Sequence, residues 1–116
     1  MAKTSNSHPE GTPQFPETVA AAIRAARQKQ SLDIVVLDLR EIGAFADYFV
    51  VCTGLNPRQI AAIAEGIGDT LREELGDRAA VVEGGKQSGW ILLDYFNVVV
   101  HIFSQECREF YDLERL

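Results

Sequence analysis

"GWILLDYFNVVVHIF", residues 89–103, decides the fold. Two apolar runs, Trp90–Leu93 and Val98–Phe103, flank a short interruption, which is the pattern of a β-hairpin. With Phe96 and Asn97 as a two-residue loop, Tyr95 opposes Val98, Asp94 opposes Val99, Leu92 opposes His101 and Trp90 opposes Phe103. Side chains alternate across a strand, so one face reads Ile91, Leu93, Tyr95, Val98, Val100 and Ile102. That is a core face, needing only helices to cover it. The other face reads Trp90, Leu92, Asp94, Val99, His101 and Phe103. A one-residue slip would send His101 to the core face, so the unmixed split selects this register, although Phe-Asn is not the favoured turn dipeptide.

Pattern alone leaves the second face open to two readings. A strand Trp is commonly a core residue, and a strand His commonly sits beside a carbonyl. Yet burying Asp94 and His101 together demands hydrogen-bond partners for both. Exposed instead, Trp, Leu and Phe with two polar handles have the composition of a protein-binding hot spot.

Outward from the hairpin, the clearest element is "NPRQIAAIAEGIGDTLREELG", residues 56–76. Asn56 suits an N-cap, Pro57 the first helical position and Gln59 the capping-box position. Ile60, Ile63, Ile67, Leu71 and Leu75 form one stripe at spacings of three and four, and Gly76 stops the helix. Gly66 and Gly68 each cost roughly 1 kcal/mol of helix propensity, which points to close approach of a neighbouring strand. "PETVAAAIRAARQKQS" predicts a further helix, with Val19, Ile23 and Ala26 on one side. "DIVVLDLR" and "YFVVCTG" are strands, the first largely buried from Ile34 to Leu37, and "EIGAFAD" connects them. "AAVVE" is a short strand, "GGKQSG" a flexible loop, and "SQECREFYDLERL" a closing helix with Cys107, Phe110 and Tyr111 inward and Leu113 as a further contact. The order is α-β-β-α-β-β-β-α, an α/β sandwich with a mixed β-sheet flanked by helices.

A chain of 116 residues, 47% hydrophobic, is sized for one domain, here residues 16–116. Residues 1–15, rich in Pro, Ser, Gly and Thr, read as a disordered lead-in without the features of a signal or transit peptide. No run approaches the length of a membrane span. Cys52 and Cys107 are too few for a disulfide framework, so the cytoplasm is the expected compartment. The net charge of −6 is uneven: residues 41–116 carry six Lys/Arg against thirteen Asp/Glu, a balance of −7. That argues against direct gripping of nucleic acid and for basic protein partners.

Enzyme chemistry finds little support. Cys52 with His101 lacks an orienting third residue, and Cys52 lies within an apolar strand. "GGKQSG" lacks the order of a phosphate loop, and no dinucleotide fingerprint follows a strand. Asp38, Asp47 and Asp94 do not form the close carboxylate pair of two-metal phosphoryl transfer. No metal or cofactor is expected.

"ADYFVVCTGLNPRQIAAIAEGI", "VVEGGKQSGWILLDYFNVVVHIF" and "EFYDLERL" together resemble the ribosomal silencing factor family, also called RsfS or Iojap, from about Asp33 to the C-terminus. The resemblance implies a nucleotidyltransferase-like fold not used for nucleotidyl transfer. It implies binding to the large ribosomal subunit through ribosomal protein L-fourteen, which sterically blocks subunit joining and represses translation when nutrients are scarce. By motif, Trp90, Asp94 and His101 match the family's characteristic hairpin residues, with Leu92 and Tyr95 adjacent as candidate contacts. Asp47, Tyr48, Arg58 and Gln59 match positions of structural character. Asn56-Pro57 departs from the family's serine-rich turn and Phe96 from its small hairpin residue, and the chain stops at Leu116 where many members continue to a Trp. The rival expectations are a nucleotide-binding or nucleotidyltransferase-like enzyme and a homodimer joined through the hairpin face.

Overall fold

The computed structural model describes residues 2–5, 15–85 and 89–116. A mixed sheet has the order β1-β2-β3-β6-β5-β4, with β1 Ala2–Ser5, β2 Leu32–Asp38, β3 Tyr48–Thr53, β4 Val81–Gly85, β5 Trp90–Asp94 and β6 Val98–Phe103. The central strands β3 and β6 run parallel, and every other pairing is antiparallel. Helices α1 (Glu17–Gln28) and α2 (Pro57–Leu75) cover one face, and α3 (Gln105–Tyr111) lies at the end of β6. From α1 onward the elements follow the expected order α-β-β-α-β-β-β-α.

β3 and β6 are buried along their whole length, which explains why their sequences are continuously apolar rather than alternating. One core lies between the sheet and the two long helices: Val19, Ala22 and Ile23 of α1 and Ile60, Ile63 and Ile67 of α2 meet Ile91, Leu93, Val100 and Ile102. A second, smaller core occupies the other face, with Leu37, Phe49, Val51, Val99 and Phe103 under Leu39 and Ala46 of the connector and Cys107 and Leu113 near the C-terminus.

The start of α2 is held as the sequence predicts. Asn56 Oδ1 accepts the Gln59 amide at 2.8 Å, and Gln59 Oε1 accepts the Leu55 amide at 2.6 Å. The Gln59 amide group also donates to the carbonyls of Lys29 and Gln30, tying α2 to the end of α1. At the other end Gly76 takes the left-handed conformation, and the Asp77 and Gly76 amides return to Leu71 and Arg72.

Four local expectations are corrected. Ala2–Ser5, within the stretch read as a disordered lead-in, pair antiparallel with β2, while residues 1 and 6–14 lie outside the described ones. An open strand edge offers backbone donors and acceptors to any extended segment, so this strand needs no apolar signature. Gly66 faces the side chain of Lys29 rather than a strand, and Gly68 faces open space. In α3 it is Arg108 that turns inward, whereas Phe110 is exposed. The Arg108 guanidinium donates to the Asp33 carbonyl at 2.7 Å, Thr53 Oγ1 at 2.8 Å and Glu114 Oε1 at 2.8 Å. A helix of seven residues has one narrow inner face, and here the ends of β2 and β3 present polar groups that only a donor can satisfy. Of the loop expected at 84–89, Gly84 and Gly85 belong to β4, and residues 86–88 lie outside the described ones.

Candidate functional site

The hairpin register is the one its sequence selects: Trp90 opposes Phe103, Leu92 opposes His101 and Asp94 opposes Val99. The Tyr95 amide donates to the Val98 carbonyl at 2.8 Å and closes the loop. Phe96 takes φ of 71°, a left-handed conformation that non-glycine residues seldom adopt. It is held by Asp94, whose Oδ1 accepts the Phe96 amide at 2.8 Å. Short acidic side chains stabilise turns this way. The Asn97 carbonyl then accepts the amides of Asp47 and Tyr48, so the hairpin loop is tied to the start of β3.

On the second face the residues divide by role. Trp90 and Leu92 are half-buried, and Asp94 is half-buried beside the turn. His101 is only 4% exposed and packs inside a train of rings. Its centroid lies 4.5 Å from Phe49, 5.8 Å from Trp90 and 5.9 Å from Phe103. The Trp90 ring stacks on Phe103 at 5.3 Å and meets Tyr111 of α3 at 4.7 Å. The indole nitrogen of Trp90 donates to Nδ1 of His101 at 3.2 Å. An indole nitrogen can only donate, so Nδ1 is the bare nitrogen and the proton of the neutral ring sits on Nε2. That Nε2 is buried and without a partner among the described residues. Burial pushes the imidazole pKa down to about 4, so His101 is neutral near pH 7. His101 is thus the backing of Trp90 rather than a surface contact, and Asp94 is the pin of the turn.

Tyr95 does not join this face. It is buried in the core beneath the helices, where desolvation first and the Asp77 carboxylate second raise its phenol pKa. Strand alternation sends it there, two residues on from Leu93. Cys52 and His101 also fall on opposite faces: Cys52 lies in the helix-side core, and Val51 is the residue level with His101. Burial raises the Cys52 thiol to about 12, so it is neither placed nor ionised to serve as a nucleophile for that histidine.

Two residues of the face were not among the sequence-derived candidates. Glu83 of β4 is level with Leu92 of β5, so its side chain lies on the same side of the sheet. Tyr111, expected to pack inward, does meet Trp90 but keeps 46% of its surface exposed. The short strand "AAVVE" carries the signal for Glu83, but its register depends on a glycine-rich connection whose length does not determine pairing. A larger cavity, about 740 Å³, lies between the end of α1, the start of β2 and α3. Its buried cation, Arg108, is already committed to three acceptors.

Comparison with known proteins agrees with this architecture. The family model described as "Ribosomal silencing factor during starvation" matches residues 12–116. A Bacillus subtilis protein named ribosomal silencing factor RsfS is 40% identical over 98 residues, covering 84% of this chain and 80% of its own. A mouse protein named mitochondrial assembly of ribosomal large subunit protein 1 is 28% identical over 92 residues, covering 78% of this chain and 40% of its own. The crystal structure of a Chromobacterium violaceum protein superposes with a TM-score of 0.81 at 31% identity, covering 89% of this chain and 85% of that one. With sequence and fold matched together over most of its length, the chain belongs to the ribosomal silencing factor family.

Proposed function

We propose that the protein binds the large ribosomal subunit through ribosomal protein L-fourteen, using the face around Trp90 and Leu92, and represses translation by blocking subunit joining. The observation that carries this is the backed indole. Trp90 is held from behind by His101 and Phe103 and from the side by Tyr111, yet remains half-buried with Leu92 beside it. A large apolar residue already fixed in one orientation loses little entropy on binding, which is what an anchor at a protein interface requires. Glu83 and Asp94 border the pair, and the balance of −7 over residues 41–116 favours a basic protein over ribosomal RNA. The mechanism is occupation of a surface, with no bond made or broken, and it operates in the cytoplasm.

The test is co-sedimentation with purified large and small subunits, comparing the wild-type chain with Leu92→Asp. Leu92 is half-buried at the edge of the smaller core, so a urea midpoint near that of the wild type is the control that the variant keeps its fold. Binding to the large subunit alone, lost in the variant, is the expected result. No wild-type binding, or equal binding by the variant, would overturn the assignment. A homodimer through the same face is favoured by the continuation of the apolar surface to Tyr111 and Phe110, 46% and 80% exposed. Sedimentation at several concentrations distinguishes it.

A further inference from the structure

We infer that the cavity between β4, Trp90 and Tyr111 seats a lysine or arginine side chain of the basic protein on which this face docks. The inference rests on the proposed docking role of the Trp90–Leu92 face and names the chemistry that the face selects. The cavity measures about 170 Å³ and is lined by Glu83, Gly84, Trp90, Leu92 and Tyr111. The Trp90 and Tyr111 rings touch, 4.7 Å apart between centroids and inclined at 44°, and both form part of the cavity wall. Leu92 adds aliphatic surface, and Glu83, opposite it in register, supplies a carboxylate on the same side of the sheet.

A long basic side chain is the complement of this lining. Its methylene stem lies along apolar surface, and its charged head seeks a carboxylate and the negative face of an aromatic ring. Glu83 is exposed and makes no hydrogen bond or ion pair among the described residues, so its charge is available. The groove beside α2 differs here, since its Asp69 is paired with Arg72 at 3.1 Å. Gly84 keeps β4 close to the main chain of β5: at φ of 90° an added Cβ would collide with the Trp90 backbone carbonyl oxygen. The cavity wall therefore depends on a backbone that only glycine allows there.

The chain contains a single tryptophan, so a ¹⁵N-labelled sample gives one indole signal, that of Trp90. The full chain is titrated at constant ionic strength with Ac-Gly-Arg-Gly-NH₂, Ac-Gly-Lys-Gly-NH₂ and Ac-Gly-Gln-Gly-NH₂. The arginine and lysine peptides are expected to move the Trp90 signal saturably and the glutamine peptide to leave it in place. Glu83→Gln, an exposed and nearly isosteric change, is expected to weaken both the peptide response and large-subunit binding by roughly three- to tenfold. Equal movement by the glutamine peptide, or unchanged behaviour of Glu83→Gln in both assays, overturns the inference. If cationic peptides seat but the wild-type chain does not bind the large subunit, the cavity assignment stands and the ribosomal role falls. If the subunit binds both chains equally and no peptide moves the indole, the reverse holds.

Discussion

The Trp90 indole donates to Nδ1 of His101 across the two strands of the hairpin, at 3.2 Å, with the two rings inclined by only 24°. One strand thereby carries the residue that meets solvent and the other carries the residue that holds it in place. A truncation of Trp90 removes a half-buried anchor and uncovers a buried imidazole at once.

Binding should reflect that division. Trp90→Ala is expected to weaken large-subunit binding by at least ~2 kcal/mol, roughly thirtyfold, as for a hot-spot aromatic. Arg72→Ala, on the exposed side of α2 and paired with Asp69, should leave it unchanged. Equilibrium binding of fluorescently labelled chains to purified large subunits checks both, and equal weakening by the two would exclude the assignment.

His101 makes stability depend on pH. Its folded-state pKa, about 4, lies below the ordinary value of 6.5. Between those values the unfolded chain binds a proton that the folded chain does not, so stability rises with pH across this window. Acidification from pH 7 to pH 4 should therefore cost on the order of 3 kcal/mol through this residue. Urea unfolding at several pH values, wild type beside His101→Asn, reads the difference. A variant whose acid sensitivity matches the wild type would show that another group is responsible.

Arg108 joins α3 to the ends of β2 and β3. Arg108→Ala should destabilise the fold by about 3–5 kcal/mol, because it removes the buried guanidinium donor shared by the Glu114 carboxylate, the Asp33 carbonyl and the Thr53 hydroxyl. Arg108→Lys should recover only part, since one ammonium cannot reproduce the fork of a guanidinium. Urea midpoints measure both. A loss within 0.5 kcal/mol, about that of an ordinary surface change, would argue that the network is dispensable.

At the hairpin tip, Phe96 is 72% exposed and held at positive φ. Phe96→Gly should stabilise by about 0.5–1 kcal/mol, since glycine reaches that conformation without the Cβ penalty. Asp94→Ala should do the opposite by releasing the Phe96 amide. Thermal unfolding of the two variants gives the signs directly.

Much of the architecture was legible in the chain because local rules and burial agree. Period-two alternation identified the hairpin and its register, and the Asn56–Gly76 stripe identified α2 with both of its ends. β1 was not legible, since edge pairing uses backbone groups that every residue carries. Nor was the inward turn of Arg108, because an arginine in a short terminal helix ordinarily faces water.

The sequence by itself determined that Trp90, Leu92, Asp94 and His101 share one side of the hairpin, since alternation along a strand is a local property. Tertiary structure alone decided which of them meets solvent. α3 folds back to place Tyr111 against Trp90, β3 brings Phe49 against His101, and β4 sets Glu83 level with Leu92. The first two contacts join residues far apart in the chain and the third crosses a glycine-rich connection that does not fix register, so all depend on how helix and strands pack, which no local periodicity encodes.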